Sequence, residues 1–129
     1  MANLRYRSQF QYSFAGQQVV LFAQVAIGAS GAPTIAANTG LGISTIVRNS
    51  AGNYTITFSN AFATLLDLDV NSISGASAPA APAFNIVANG VASSTLQFQL
   101  RNNSGVATDP ASGEILLISV TMDRSSVGH

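Results

Sequence analysis

Apolar and polar residues alternate with period two along most of this chain, the spacing of strands with one face against a core. In residues 5–14, Tyr6, Phe10, Tyr12 and Phe14 share a face with Ser8, and Arg5, Arg7, Gln9, Gln11 and Ser13 share the other. That run predicts either an edge strand or an arm that docks on a neighbouring subunit by strand addition, its aromatics filling pockets. Both hold if the strand is exchanged within an oligomer. Residues 18–27 are apolar on both faces, which predicts a strand covered on both sides. Residues 28–39 form a small-residue loop carrying Pro33, with no helical stripe.

Residues 42–59 hold the clearest signal. Two β-branched, aromatic-rich runs flank the turn formers Arg48 to Asn53, and Gly52 can take positive φ and close a hairpin with a bulge. On its second arm Tyr54, Ile56 and Phe58 share a face. Next, Thr64, Leu66, Leu68 and Val70 alternate with Leu65, Asp67, Asp69 and Asn71, predicting a strand with its acids outward. A short helix over residues 61–68 is the competing expectation. Residues 72–83 are low in complexity with Pro79 and Pro82, a surface loop of polyproline character. A run at 84–87 precedes the turn pair Asn89-Gly90, and 95–101 points Leu96, Phe98 and Leu100 inward.

After a polar loop holding Asp109-Pro110, residues 114–122 set Leu116, Ile118, Val120 and Met122 on one face. The opposite face, Ile115, Leu117, Ser119 and Thr121, is half apolar, again implying cover on both sides. About eight short strands with regular turn signals predict a single-domain, all-β fold, a β-sandwich or jelly roll of antiparallel strands. Residues 1–14 read as the N-terminal strand or docking arm, and 15–129 as the sandwich.

Composition sharpens this picture. Charged residues are 8% of the chain, against roughly 25% in a typical soluble domain, while hydrophobic residues are 47%. No apolar run approaches the ~20 residues of a membrane-spanning helix. The surface must therefore be neutral polar residues, or apolar area hidden by another chain. Net charge is zero, with five arginines, no lysine and five acids, so the basic footprint of a nucleic-acid binder is missing. Arginine is the cation suited to interfacial pairing. Without cysteine there is no disulfide scaffold or thiol chemistry. The first residues lack the apolar core of a signal peptide, which points to synthesis in a cytoplasm.

Chemistry is sparse. The one histidine, His129, is terminal, a poor recruit for a catalytic triad or metal site. Residues 67–71 open like a calcium loop, but Ser72 and Ala78 stand where the pattern needs glycine and glutamate. Gly40-Leu41-Gly42 lacks the third glycine of a dinucleotide fingerprint, and Gly28-Ala29-Ser30-Gly31 lacks the spacing of a nucleophile elbow. Arg48 and Arg101 sit at strand ends, available for ion pairs with Asp67, Asp69, Asp109 or Glu114, or for hydrogen bonds to a partner. The expectation is a non-enzymatic protein without metal or cofactor.

The stretch from Gly42 to Phe58 resembles a hairpin recurrent in tailed-bacteriophage virion proteins, where a Gly-Ile-x-Ser-Val-x-Arg-like strand leads into Gly-x-Tyr-Thr-Val-x-Phe. This chain carries Thr-Ile-Val before Arg48, and its closing stretch from Gly113 to Thr121 is similar to the last strand of those proteins. The hairpin also echoes the Gly-x-Tyr hairpin of trimeric C1q- and TNF-like sandwiches, an analogy of fold alone. The resemblance implies a virion structural protein, most like a capsid decoration (cement) protein. Such proteins sit on the outer capsid surface, commonly as trimers, and brace the major capsid protein. Under it, Arg5, Tyr6, Arg7 and Phe10 are candidates for capsid contact. Residues 19–27 and 115–122, with Val20, Phe22, Ile115 and Leu117, are candidates for the subunit interface, joined by Arg48 and Arg101. The alternatives are the receptor-binding head of a tail fibre or spike, and a carbohydrate-binding β-sandwich. The second would want exposed aromatic platforms, and the chain has no tryptophan and three tyrosines.

Overall fold

A computed structural model describes residues 18–74 and 79–124. Within them the chain forms β1 (Gln18–Ile27), β2 (Pro33–Ile35), β3 (Ile43–Ser50), β4 (Asn53–Phe58), β5 (Thr64–Ile73), β6 (Ala83–Gly90), β7 (Thr95–Arg101) and β8 (Ile115–Asp123). They make two four-stranded antiparallel sheets, sheet A in the order β2-β1-β8-β5 and sheet B in the order β3-β4-β7-β6. The sheets stack as a sandwich, β2 beside β3 at one flank and β5 beside β6 at the other.

Alternation in the sequence becomes burial. Leu21, Ala23, Val25 and Ile27 of β1 meet Leu116, Ile118, Val120 and Met122 of β8 on the inner side of sheet A. Sheet B answers with Tyr54, Ile56 and Phe58 of β4 and Leu96, Phe98 and Leu100 of β7. Tyr54 and Phe98 stack across the strands with ring centroids 5.7 Å apart. The central hairpin closes as its residues require: Gly52 has φ +74°, and the register slips between Arg48 and Ser50.

Three local readings change. Residues 28–39 are more than a loop, because Pro33–Ile35 pairs with Val25–Ile27 as a short edge strand. Proline is tolerated there because it opens an edge strand, where a missing N–H costs no ladder bond. Residues 64–73 are a strand and not a helix, but a bulge between Leu65 and Asp67 shifts its facing. Leu65 therefore packs on the core, while Leu66, expected inward, is 46% exposed. The strand at 84–87 runs on through Asn89-Gly90, and the turn falls at Val91–Ser93, with Ser94 left-handed at φ +68°. With β2 the described residues hold eight strands, and the strand expected at 5–14 lies outside them.

The outer sides of β1 and β8 are open in the single chain. Phe22 is 65% exposed and Val20 and Leu117 are also uncovered, so the described residues do not supply the second cover expected for these strands.

Candidate interaction surface

Two arrangements account for the side chains singled out above. One is a polar knot at the end of the β3–β4 hairpin. Arg48 lies opposite Tyr54 in the ladder and grips Asp109 with both arms of its guanidinium, Nε to Oδ1 at 2.9 Å and Nη2 to Oδ2 at 2.8 Å. The Gly52 N–H donates to the same Oδ1 at 2.9 Å. The Tyr54 hydroxyl donates to the Gly31 carbonyl at 2.8 Å and stands 3.4 Å from Asp109 Oδ1. Three sequence segments, the β3–β4 hairpin, the Gly31 loop and the loop of Asp109, thus meet around one carboxylate. Gly31 belongs there for lack of room, since a Cβ on it would lie 2.6 Å from Asp109 Cγ.

The electrostatics are those of a clamp. Hydrogen bonding from Arg48 holds the Asp109 carboxyl below its ordinary range, while burial, with Asp109 nearby, pushes the Tyr54 phenol well above its own. An ionised carboxylate whose oxygens already accept from Arg48 and Gly52 is a poor proton acceptor. The arrangement ties the β3–β4 hairpin to the loops of Gly31 and Asp109.

The signs of these shifts predict a stability window. A depressed Asp109 stabilises the fold above the ordinary carboxylate pKa of about 4, and that contribution is lost as pH falls through the folded value. A raised Tyr54 favours the fold in full below about pH 10, and its contribution is lost as pH rises past that point. Denaturant melts across pH should therefore fall off more steeply on the acid side in the wild type than in Asp109→Asn. Tyr54→Phe should cost ~1–3 kcal/mol in the same melts, because the Gly31 carbonyl loses its buried donor.

The other arrangement is the outer face of sheet A. Ladder register places Phe22, Ser119 and Asp69 in one row, Gln24, Leu117 and Asn71 in the next, then Ala26, Ile115 and Ile73. Val20, Thr121 and Asp67 complete it on the other side. A groove of about 370 Å³ runs over this face between Phe22, Leu117, Thr39 and Asn71. The outer face of sheet B differs: its rows are Thr45, Thr57 and Thr95, then Val47, Thr55 and Gln97, with Asn53 beside Gln99. Those side chains bond one another, Asn49 Nδ2 to Thr55 Oγ1 at 2.6 Å and Gln99 Nε2 to Asn53 Oδ1 at 3.1 Å. The first face groups its apolar side chains over three adjacent strands with acids at the margin, and the second is mostly neutral and polar, with Val47 and Val87 exposed on its opposite edge strands.

Val20, Phe22, Ile115 and Leu117 thus come together on one surface. Arg48 does not join them, being held by Asp109, and Arg101 lies on sheet B with its Nε donating to Gln99 Oε1 at 2.8 Å. Arg5, Tyr6, Arg7 and Phe10 lie outside the described residues, as does His129. Ile73, half exposed on the same apolar face, ends β5 and does not belong to the loop expected at 72–83; its only sequence signal is an isolated apolar residue among serines. Glu114, a candidate partner for arginine, is buried and accepts the Ala80 N–H at 3.0 Å.

Among the described residues no three His, Cys, Asp or Glu side chains group as metal ligands, and no helix is long and apolar enough to cross a membrane. No family model matches the sequence, and neither a curated protein nor a solved structure matches it.

Proposed function

We propose that this protein is a virion structural protein that assembles with copies of itself through the outer face of sheet A and decorates the outside of a capsid. The observation that carries the reading is the contrast between the two outer faces. Sheet A exposes Val20, Phe22, Ile73 and Leu117 over three adjacent strands, whereas the exposed apolar residues of sheet B, Val47 and Ile86 with Val87, stand apart on its two edge strands with threonine, asparagine and glutamine between them. A contiguous apolar face is an interaction surface when it belongs to a folded domain rather than to scattered side chains. The only ion pair between described residues is spent inside the chain, on loops, which suits a protein whose task is mechanical. The virion setting rests on the resemblance of the 42–58 hairpin and the closing strand to phage structural proteins.

The test is co-sedimentation with empty capsids prepared without their decoration protein. Saturable binding at a fixed ratio to the major capsid protein, with capsids then surviving heat or low salt longer, is the expected outcome. An assembled protein that ignores capsids but binds host cells or glycans would replace this reading with a receptor-binding head.

A further inference from the structure

We propose that Asn89 is a site of spontaneous modification in the folded protein, its side-chain carboxamide being converted to a carboxylate through attack by the Gly90 backbone nitrogen. The inference is independent of the self-association and capsid readings above.

Asparagine is a thermolabile residue, and its lability depends on how easily the next backbone nitrogen reaches the side chain. Asn89 is the only asparagine in the sequence that is followed by glycine. Without a Cβ at residue 90, nothing crowds that approach. The pair reads as a turn in the sequence, but in the structure it ends β6, and no turn function absorbs it. Gly90 pairs with Thr95 in the last rung of the β6–β7 ladder. The ends of a ladder open more readily than its middle, and each opening frees the Gly90 nitrogen. Asn89 itself is exposed among the described residues, so water reaches it.

The side chain is held for the attack. Asn89 Oδ1 accepts the Val91 N–H at 3.3 Å, a local ring that folds the carboxamide back over the Gly90 peptide. That bond also polarises the carboxamide carbonyl, as a donor does wherever negative charge develops on an acyl oxygen. Asn89 Nδ2, the group that must leave, donates to nothing among the described residues. Other asparagines fail one requirement or another. The Nδ2 groups of Asn49, Asn53 and Asn71 donate to Thr55 Oγ1 at 2.6 Å, Ser50 Oγ at 2.9 Å and Asp69 Oδ2 at 3.0 Å. Asn102 is the nearest rival, since its Oδ1 accepts the Ser104 N–H at 2.9 Å in the same local ring. Its next residue is Asn103, whose side chain crowds the nitrogen.

The chemistry needs water alone. The Gly90 nitrogen gives up its proton to solvent and bonds to Asn89 Cγ, and Nδ2 leaves with that proton's equivalent as ammonia. Water then opens the cyclic imide. Cleavage of the new Cγ–N bond leaves an aspartate at position 89. Cleavage between the imide nitrogen and the backbone carbonyl leaves the chain running through Cγ, an isoaspartate with one more main-chain carbon. Either product adds a carboxylate to a chain whose formal net charge is zero. The isoaspartate also disturbs a packed corner. Asn89 lies opposite the buried Leu96, Val91 is 3% exposed, and the Val91 carbonyl accepts the Phe62 N–H at 2.9 Å.

The test is incubation of the folded protein in mildly alkaline buffer, which favours loss of the Gly90 proton, followed by anion exchange. Peptide fragmentation that distinguishes isoaspartate from aspartate then locates the change. The expected result is an acidic form that accumulates with time and carries its new carboxylate at Asn89 before any other asparagine. Asn89→Gln should lose that form, because its longer side chain closes the ring poorly, and circular dichroism should show the same fold. An acidic form that maps first to Asn102 or Asn103 overturns the inference. So does an Asn89 that converts only after urea has unfolded the chain. Neither result bears on the self-association reading, which is decided by mass in solution.

Discussion

Glutamates in place of Phe22 and Leu117 are expected to turn the assembled protein into a monomer without unfolding it. Phe22 is 65% exposed and Leu117 39% exposed in the single chain, so neither substitution opens the core, and a thermal melt should move only by the small shift of a surface change. In the single chain the two side chains stand one row apart on adjacent strands at the centre of the apolar face. Losing their burial removes ~1.5–3 kcal/mol per side chain, and forcing carboxylates into the contact adds a desolvation cost. Together that is at least a hundredfold in dissociation constant. Sedimentation velocity on the variant checks the mass, and circular dichroism checks the fold. An assembled variant with an unchanged melt would move the interface off sheet A.

Gly52→Ala should be the most damaging alanine substitution among the described glycines. Gly52 has φ +74°, and a Cβ there would lie 2.6 Å from the Leu100 carbonyl oxygen and 2.6 Å from the Thr108 nitrogen. Both are backbone atoms and neither can step aside as a side chain would. The left-handed conformation alone costs an alanine ~1–2 kcal/mol. The clash adds to that, and so does any shift that draws the Gly52 N–H away from Asp109. Gly105 provides the control: its φ is +78°, yet nothing lies within 4 Å of a Cβ built on it. Denaturant midpoints should therefore fall slightly for Gly105→Ala and much further for Gly52→Ala, out of a total stability of about 5–15 kcal/mol. Equal losses would mean that the hairpin tip is not wedged against the 102–113 loop.

The parts of this fold written locally could be read from the chain. Strict alternation in β4, β7 and β8 gave the correct inward faces, because period two leaves no other way to bury Tyr54, Phe98 or Val120. Gly52 announced its turn. What escaped depends on contacts between distant residues or on one-residue irregularities. The bulge at Leu65 reverses the facing of Leu66, and no residue type there signals it. β2 is three residues long and exists only because β1 offers it an edge. Asp109 was one of four possible partners for Arg48; 61 residues separate the two, so only the assembled hairpin and loop decide between them.

The proposed interaction surface is half legible in the sequence. Apolar residues on both sides of residues 18–27 and 115–121 showed that these strands want two covers, and Phe22 and Leu117 follow from that alone. The rows that set Leu117 between Gln24 and Asn71, and Ile115 between Ala26 and Ile73, come from strand order, which one sequence does not encode locally. The acids at the margin of that face follow from the same order. Asp67 and Asp69 could be read as outward, but not as neighbours of an apolar patch on the last strand of sheet A.

The account stands most directly on one measurement, the mass of the purified wild-type protein in solution by sedimentation equilibrium. Sheet A's uncovered face predicts a mass that is a whole multiple of the 13.2 kDa chain at micromolar concentration, reduced to a single chain by the Phe22 and Leu117 glutamates. A wild type that stays at 13.2 kDa up to its solubility limit would contradict it.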